Sequence, residues 1–417
     1  MKQTLTARRL VTHEATIDFP VVDVASDGTI AAISSDPKAL AHETSMLTAA
    51  FFDIHTHGAR NHDIMSATPA GLSEMQHFLA THGLAHYLPT TVTAPVDATL
   101  RALESLANAI EAAPQPGEAQ PVGIHLEGPF LSHAKRGVHS PDLLQPPSIE
   151  LFDRFQAAAR GHIKLVTIAP EPNAWSSTNK YPEASASGLT AQQRKKGALA
   201  SEGSSALDLI LYATALGVRV SVGHSNATTA ETLAAIDAGA TSATHTFNAM
   251  RPLDHREPGI LGAVLDDHRL FAELICDGVH VAPPLVRLWL RAKTVARAIL
   301  ISDSISASGM PDGDYKLGPL DVTVANGVAQ LTEDLAAGKQ TLAGSVLTLD
   351  RAVANLQAFT AASLADATRL ASHNPAAMLG LPTLTNLTPG TPANLNLFDA
   401  NNHLAATYLR GQLVPNH

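Results

Sequence analysis

The chain has one cysteine, few aromatic residues and no long hydrophobic run. Cys276 is the only cysteine among 417 residues, which excludes an intramolecular disulfide and favours a reducing compartment. No uninterrupted apolar stretch approaches the roughly 20 residues that a membrane-spanning helix needs. Residues 1–19 lack the apolar core of a signal peptide. We therefore expect a cytoplasmic protein without a membrane partner.

Clusters of positive charge are also lacking. The formal net charge is -10 and no block of basic residues occurs, which argues against a nucleic-acid partner. The composition is 45% hydrophobic and 16% charged, a proportion typical of a folded chain and not of a disordered one. The length suits one large domain with a smaller one beside it.

The hydrophobic pattern divides the chain into three parts. Residues 1–50 contain short alternating stretches, which predict the N-terminal part of a small β-domain. Over residues 51–380, short apolar strands alternate with amphipathic helical windows about eight times, which predicts an α/β fold of the (β/α)8 TIM-barrel type. Residues 381–417 return to short strands. We expect them to complete a β-sandwich that is built from both termini.

Two local patterns near the end of the barrel region predict secondary-structure elements with definite bounds. Asn326-Gly327 is a typical hairpin turn, and it predicts a β-hairpin over Asp321–Leu331. Helical periodicity predicts two helices, at Leu347–Phe359 and Ser363–Leu379.

Residues that bind metals stand at the ends of several predicted strands. His55 and His57 follow a buried apolar run, and alternate strand residues share a face, so both imidazoles point the same way. Further strands end in Glu127, His224, His245 and Asp303. A single histidine near a strand end is usually a packing residue. Six such residues at the functional edge of a barrel instead predict a site for zinc, iron or another divalent metal.

Longer motifs around these residues resemble the N-acetylglucosamine-6-phosphate deacetylase family of the amidohydrolase superfamily. The resemblance extends from about residue 50 to the C-terminus. It rests on residues 125–132, 223–227, 244–250, 256–259, 276–281, 342–345 and 372–376. It implies the barrel fold, a metal-dependent hydrolase and a cytoplasmic homodimer.

The resemblance implies roles for the metal-binding residues. Glu127, His224 and His245 would hold a main metal ion. His55 and His57 would hold a second ion that Glu127 bridges, so one or two ions per subunit are expected, with zinc or iron as the metal. Asp303 would be the catalytic acid and base and could also contact a metal.

It also implies a binding site for a sugar phosphate. His139 would hydrogen-bond the acetyl carbonyl, and Asn248 with the backbone of Ala249 would help to hold the substrate. His280 and Arg256 would bind the phosphate, and Arg256 would come from the neighbouring subunit of the homodimer. Two alternatives stay open. His139 could be an ordinary loop histidine, and Arg256 could pair with Glu257 at the surface.

The function that follows is removal of acetate from N-acetylglucosamine 6-phosphate in amino-sugar catabolism, which gives glucosamine 6-phosphate. A deacetylase of another N-acyl amino sugar, such as N-acetylgalactosamine 6-phosphate, stays open, as does a catalytically silent binding protein on the same fold. Two segments depart from the family pattern, residues 171–205 and 304–307. The first is a long polar insertion whose role the sequence leaves open.

Overall fold

The computed structural model describes residues 3–39, 45–175 and 204–415. Within these ranges, eight parallel strands form a nearly closed barrel, which confirms the predicted TIM-type fold. We number these strands β1 to β8 in chain order. Their bounds are Phe51–Thr56, Leu84–Thr91, Ile124–Glu127, Ile163–Ile168, Arg219–Val222, Ser242–Ala243, Phe271–Ile275 and Ala298–Ile301.

The first and last barrel strands meet at their C-terminal ends. The Asp303 amide donates a hydrogen bond to the His55 carbonyl at 2.9 Å, and the His57 amide donates to the Ser304 carbonyl at 2.7 Å. The barrel is therefore closed by the backbone of residues that the sequence assigned to the metal site.

Helices cover the outside of the barrel, so its strands are buried on both faces, and every residue of β1 and β2 is buried. The helix at Val96–Glu111 is a clear example, because it buries Thr99, Ala102, Leu103, Leu106 and Ala107 at helical spacing. The α-helices of the described ranges are Pro69–Thr81, Val96–Glu111, Ile149–Ala158, Ala206–Ala215, Thr229–Asp237, Gly259–Asp266, Pro283–Arg297, Thr332–Ala336, Leu349–Thr360, Leu364–Ala371 and His373–Leu379.

The helix predicted at Ser363–Leu379 is two helices, Leu364–Ala371 and His373–Leu379. Pro375 explains the break, since it has no amide hydrogen to donate to the carbonyl four residues earlier. The helix predicted from Leu347 begins at Leu349 and ends at Thr360. None of the helices in the described ranges is both long and apolar enough to cross a bilayer.

The two termini form a small β-domain beside the barrel, as predicted. The strand Met46–Ala49 pairs antiparallel with Leu395–Phe398, which joins both ends of the chain in one sheet. The strands of that sheet, in spatial order, are Gln412–Leu413, Leu404–Leu409, Leu395–Phe398, Met46–Ala49, Arg9–Val11 and Thr16–Asp18. A second sheet contains Gln3–Thr6, Pro20–Val24 and Ile30–Ser35. Leu10, Val22 and Leu395 lie in the apolar core of this domain. The domain boundaries at residues 50 and 380 stay predictions.

A β-hairpin follows the last barrel strand, as predicted. The strands Leu320–Ala325 and Val328–Leu331 pair antiparallel, and Asn326 and Gly327 between them have φ angles of 53° and 72°. The sequence missed a third strand in this sheet, Gly313–Leu317. Short strands also occur at Gly58–Ala59, His62–Asp63 and Gln120–Pro121. Most of the 171–205 insertion, residues 176–203, lies outside the described residues.

Candidate active site

The C-terminal edge of the barrel gathers the six residues predicted to bind metal. His55 lies in β1, Glu127 ends β3, and His57, His224, His245 and Asp303 follow barrel strands. All six are buried, from 0% exposed for His55 to 7% for Asp303. The structure therefore brings together, in one buried place, residues that are far apart in the chain.

Three of these side chains form a first cluster. The Nε2 atoms of His55 and His57 lie 3.3 Å apart. The Asp303 Oδ1 atom lies 3.4 Å from His55 Nε2 and 3.2 Å from His57 Nε2. These three residues place one donor atom each within coordinating reach of a common point.

Glu127, His224 and His245 form a second cluster, which lies against the first. Glu127 Oε1 lies 3.3 Å from His224 Nε2 and 3.2 Å from His245 Nε2, and those two nitrogens are 3.0 Å apart. The same carboxylate lies 3.4 Å from His55 Nε2 and 3.2 Å from His57 Nε2. Glu127 is therefore placed between the clusters, where a bridging ligand would be.

The hydrogen bonds of His57 and His224 leave the Nε2 lone pairs of these two rings free for a metal. His57 Nδ1 donates to the Thr90 carbonyl at 3.0 Å, and His224 Nδ1 donates to the Lys135 carbonyl at 3.1 Å. A carbonyl can only accept, so in a neutral ring the proton sits on Nδ1 and the lone pair on Nε2. This outer support is typical of metal-binding histidines.

The electrostatics of the two clusters favour a cation. Glu127 Oε1 is buried and has no hydrogen-bond partner within the described residues. Burial lowers the pKa of His57, but Asp303 and Glu127 outweigh burial and raise that pKa to about 9. The first cluster therefore has an excess of negative potential, whereas burial lowers the pKa of His224 in the second cluster. The donors and the charge of this site therefore fit a divalent metal ion.

Three of the six residues have an unusual backbone. The φ angles of His224, His245 and Asp303 are 47°, 27° and 51°, in the left-handed region that residues other than glycine rarely occupy. Each lies two residues after the end of a barrel strand, where such a turn redirects the side chain. This strain is the kind that persists at functional sites because the surrounding fold enforces it.

His139 also lies beside the two clusters. It is 2% exposed, and its Nε2 atom lies 3.7 Å from Glu127 Oε2. The Thr93 amide donates to His139 Nδ1 at 3.3 Å, so Nδ1 is the acceptor and Nε2 carries the proton. Burial and the nearby His224 lower the pKa of His139 to about 3. The ring is therefore neutral at pH 7 and presents one N–H group to the site.

Sequence reasoning missed three residues that support the site. Glu273, fully buried in β7, places Oε2 3.4 Å from His55 Nδ1. His125 packs edge-on against the His55 ring at 4.6 Å between centroids and bonds Thr167 Oγ1 at 2.8 Å. Strand alternation from Glu127 could have placed His125 inside the barrel, and a glutamate within an apolar strand could have flagged Glu273.

Glu171 is the third missed residue, and it supports the turn after His224. Its Oε2 atom accepts from Ser225 Oγ at 2.6 Å and its Oε1 atom accepts from the Asn226 amide at 2.7 Å. The side chain is buried, so these charge-assisted hydrogen bonds hold the turn firmly. No motif in the sequence marks this role.

The residues predicted to bind substrate lie in different surroundings. Asn248 donates to the His245 carbonyl at 3.2 Å, and the Ala249 carbonyl accepts from the Ser225 amide, so both adjoin the second cluster. His280 is held by Asp277 and lines a cavity of about 210 Å³.

Arg256 lies on an exposed loop, away from the contacts of the two clusters. It forms no ion pair with the residues that the structure describes, and Glu257 bonds Thr229 instead. The alternative pairing of Arg256 with Glu257 is therefore not found.

Comparisons with known proteins agree with this fold and site. A model of the amidohydrolase family matches residues 46–414. An N-acetylgalactosamine-6-phosphate deacetylase of Escherichia coli O157:H7 is 36% identical over 99% of this chain and 100% of its own length. An N-acetylglucosamine-6-phosphate deacetylase of Bacillus subtilis is 32% identical, over 97% of this chain and 95% of its own. The structure of a Mycobacterium smegmatis N-acetyl-D-glucosamine-6-phosphate deacetylase variant, in complex with N-acetyl-D-glucosamine-6-phosphate, superposes with a TM-score of 0.85. It is 33% identical, and the match covers all of both chains.

Proposed function

Because this chain belongs to the amidohydrolase family, we propose that it hydrolyses the N-acetyl group of N-acetylglucosamine 6-phosphate to give glucosamine 6-phosphate and acetate. The observation that carries the proposal is the pair of buried clusters joined by Glu127, in a chain that matches deacetylases of this substrate along nearly all of its length. A cytoplasmic location and a place in amino-sugar catabolism follow from that substrate and from the single cysteine.

The geometry of the two clusters supports the metal-binding roles that the family resemblance implies. Glu127, His224 and His245 would hold the main ion, and His55 and His57 would hold a second ion with Glu127 as the bridge. When bound, a divalent ion polarises a carbonyl and makes a water molecule a stronger acid. Imidazole and carboxylate donors suit zinc or iron, with one or two ions per subunit.

The remaining side chains would act directly on the amide. Asp303 accepts a proton from the attacking water and returns it to the departing amine, because an amine must be protonated to leave. His139 donates a hydrogen bond from its Nε2–H group to the acetyl carbonyl oxygen as negative charge develops there, and it keeps its proton. Burial of both residues keeps bulk water away from the reacting amide.

A phosphate recognised by this enzyme requires cationic donors outside the metal clusters. His280 would supply one donor. Arg256 would supply a bidentate one from the neighbouring subunit of a homodimer, which agrees with its exposure and with the lack of an ion pair among the described residues. Asn248 and the backbone of Ala249 would hold the sugar beside His245.

A second candidate substrate is N-acetylgalactosamine 6-phosphate. It is favoured by the 36% identity to a deacetylase of that sugar, against 32% for the Bacillus subtilis deacetylase of the gluco-sugar. The two substrates differ in the orientation of one hydroxyl group, so the same chemistry serves both. A catalytically silent protein has less support, because Glu127, His224, His245 and Asp303 are all present and converge.

Acetate release from purified, metal-analysed protein tests the proposal. The panel should contain both N-acetylhexosamine 6-phosphates, their unphosphorylated forms and an N-acetyl amino acid. We expect the highest kcat/KM with N-acetylglucosamine 6-phosphate. A higher value with the galacto-epimer would select the second candidate, and the absence of acetate release from every compound would refute both.

A further inference from the structure

The loop after β7 contains a closely bonded aspartate–histidine pair. The His280 Nδ1 atom lies 2.6 Å from Asp277 Oδ2. The other carboxylate oxygen, Oδ1, accepts hydrogen bonds from the Val279 and His280 amides, both at 2.8 Å. Gly278 makes the turn possible, because its φ angle of 80° is one that side chains rarely allow. Asp277 therefore fixes both the backbone and the ring of His280.

The pair is largely buried and faces a defined space. The side chains of Asp277 and His280 are 16% and 7% exposed. Both line the cavity of about 210 Å³, together with Ser345 and Arg351. The Ser345 amide donates to the Asp303 carbonyl at 2.8 Å, so this cavity adjoins the proposed catalytic residue.

The hydrogen bonds of the His280 ring determine which of its nitrogen atoms can contact a ligand. Nδ1 is used by Asp277, and Nε2 has no hydrogen-bond partner within residues 3–39, 45–175 and 204–415. Burial raises the pKa of Asp277, but the hydrogen bond from His280 outweighs burial and keeps that pKa below its usual value. The carboxylate is thus ionised and accepts a charge-assisted hydrogen bond from the His280 Nδ1–H group.

We propose that Asp277 is a positioning residue for the phosphate of the substrate: it holds the His280 ring so that its Nε2 edge points at the phosphate oxygens. The inference rests on the proposed function, because His280 is assigned to the phosphate there. It adds a residue that does not touch the substrate and acts only through His280.

The variants Asp277→Asn and Asp277→Ala test this role. Asparagine can still accept from the two loop amides through Oδ1, so the turn is kept while the negative charge opposite Nδ1 is lost. We expect Asp277→Asn to raise KM for the 6-phosphorylated substrate by about tenfold, the difference that one charge-assisted hydrogen bond makes. Values of kcat, and of kcat/KM for unphosphorylated N-acetylglucosamine, should change little. Asp277→Ala should be at least as damaging to KM.

A double-mutant cycle with His280→Gln separates positioning from a general structural role. If Asp277 acts through His280, adding Asp277→Asn to His280→Gln should have no further effect on KM. Asp399→Asn is the matched control. Asp399 accepts from the Asn401 and His403 amides at 2.8 and 2.9 Å, and lies 3.7 Å from the His403 ring on the exposed surface.

Binding provides a readout that does not depend on turnover. Calorimetric titration with glucosamine 6-phosphate should show about tenfold weaker affinity for Asp277→Asn and no change for Asp399→Asn. Three results would overturn the inference. They are additive effects on KM in the double-mutant cycle, equal losses of kcat/KM with phosphorylated and unphosphorylated substrate, and wild-type affinity of Asp277→Asn for glucosamine 6-phosphate. If the wild type binds the sugar phosphate with the expected pattern but releases no acetate, the proposed reaction fails and the role of Asp277 stands. If it binds no sugar phosphate, both fail.

Discussion

Replacing Asp303 by asparagine should abolish most catalysis while leaving the site assembled. The backbone bonds of residue 303 to His55 and Ser345 do not involve the side chain, and asparagine has nearly the same shape. Burial raises the pKa of Asp303, but His55 and His57 outweigh burial and lower that pKa to about 2, so the wild-type carboxylate is ionised and ready to accept a proton at pH 7. An amide cannot accept and return that proton.

The expected loss is a factor of about 10² to 10⁴ in kcat, the usual contribution of general acid–base catalysis. It corresponds to about 2.7 to 5.5 kcal/mol in the activation free energy. Acetate release should be measured at saturating substrate and divided by the metal content of each preparation. KM should change little, because Asp303 faces the clusters and not the proposed phosphate site.

A matched control isolates the proton-transfer role. Asp399→Asn makes the same chemical change at an aspartate outside the site, where Oδ1 accepts from the Asn401 and His403 amides and the Oδ1 of asparagine can do the same. It should keep kcat close to the wild-type value. If metal-loaded Asp303→Asn kept more than about a tenth of wild-type kcat, above that usual range, proton transfer would have to be assigned to another residue.

Three further outcomes are expected. The His224→Ala, His245→Ala double variant should lose most bound metal and activity, as elemental analysis would show; full metal content would refute the ligand assignment. Arg256→Ala should raise KM for the phosphorylated substrate about ten- to a hundredfold, for a charged contact of about 1.5–3 kcal/mol. If Arg256 reaches a neighbouring site, mixed oligomers of Arg256→Ala and Asp303→Asn subunits should regain activity. Burial lowers the pKa of His86 to about 4, from 6.5. As the pH falls, the unfolded chain therefore takes up a proton at this histidine at a higher pH than the folded chain does. Its contribution to stability is intact above pH 6.5 and is lost as the pH falls towards 4. Between pH 7.5 and 5, the free energy of unfolding measured with urea should fall by about 2 kcal/mol less in His86→Gln than in the wild type. Equal falls in the two proteins would contradict the lowered pKa of His86.

The sequence predicted the parts of this site that depend on residue type at strand ends. His55 and His57 were inferred from alternation in β1, and Glu127 from its place at the end of β3; a barrel brings such strand ends together. The left-handed turns at His224 and Asp303 could not be predicted, since they arise from how the whole barrel holds those positions and from no local preference.

The supporting residues were missed for a related physical reason. Glu171 and Asp277 act through hydrogen bonds to neighbours that only the tertiary structure identifies. The break at Ser372 was missed because helical periodicity continues across it, although Pro375 marked a possible end. The periodicity and residue types of a sequence therefore identify candidate ligand residues, whereas the folded structure is needed to identify the residues that hold those ligands in position.

The closure of the barrel by β1 and β8 has a consequence for the order of events during synthesis. The hydroxyl groups of Thr56 and Ser304 lie 2.8 Å apart in the closed barrel but 248 residues apart in the chain. At roughly 5–20 residues per second, His55 and His57 are added to the chain roughly 12 to 50 s before Asp303. During that interval the nascent chain exposes the histidine pair without its carboxylate partner. Stable metal capture by the full set of ligands is therefore a late event, completed only after the last barrel strand has emerged.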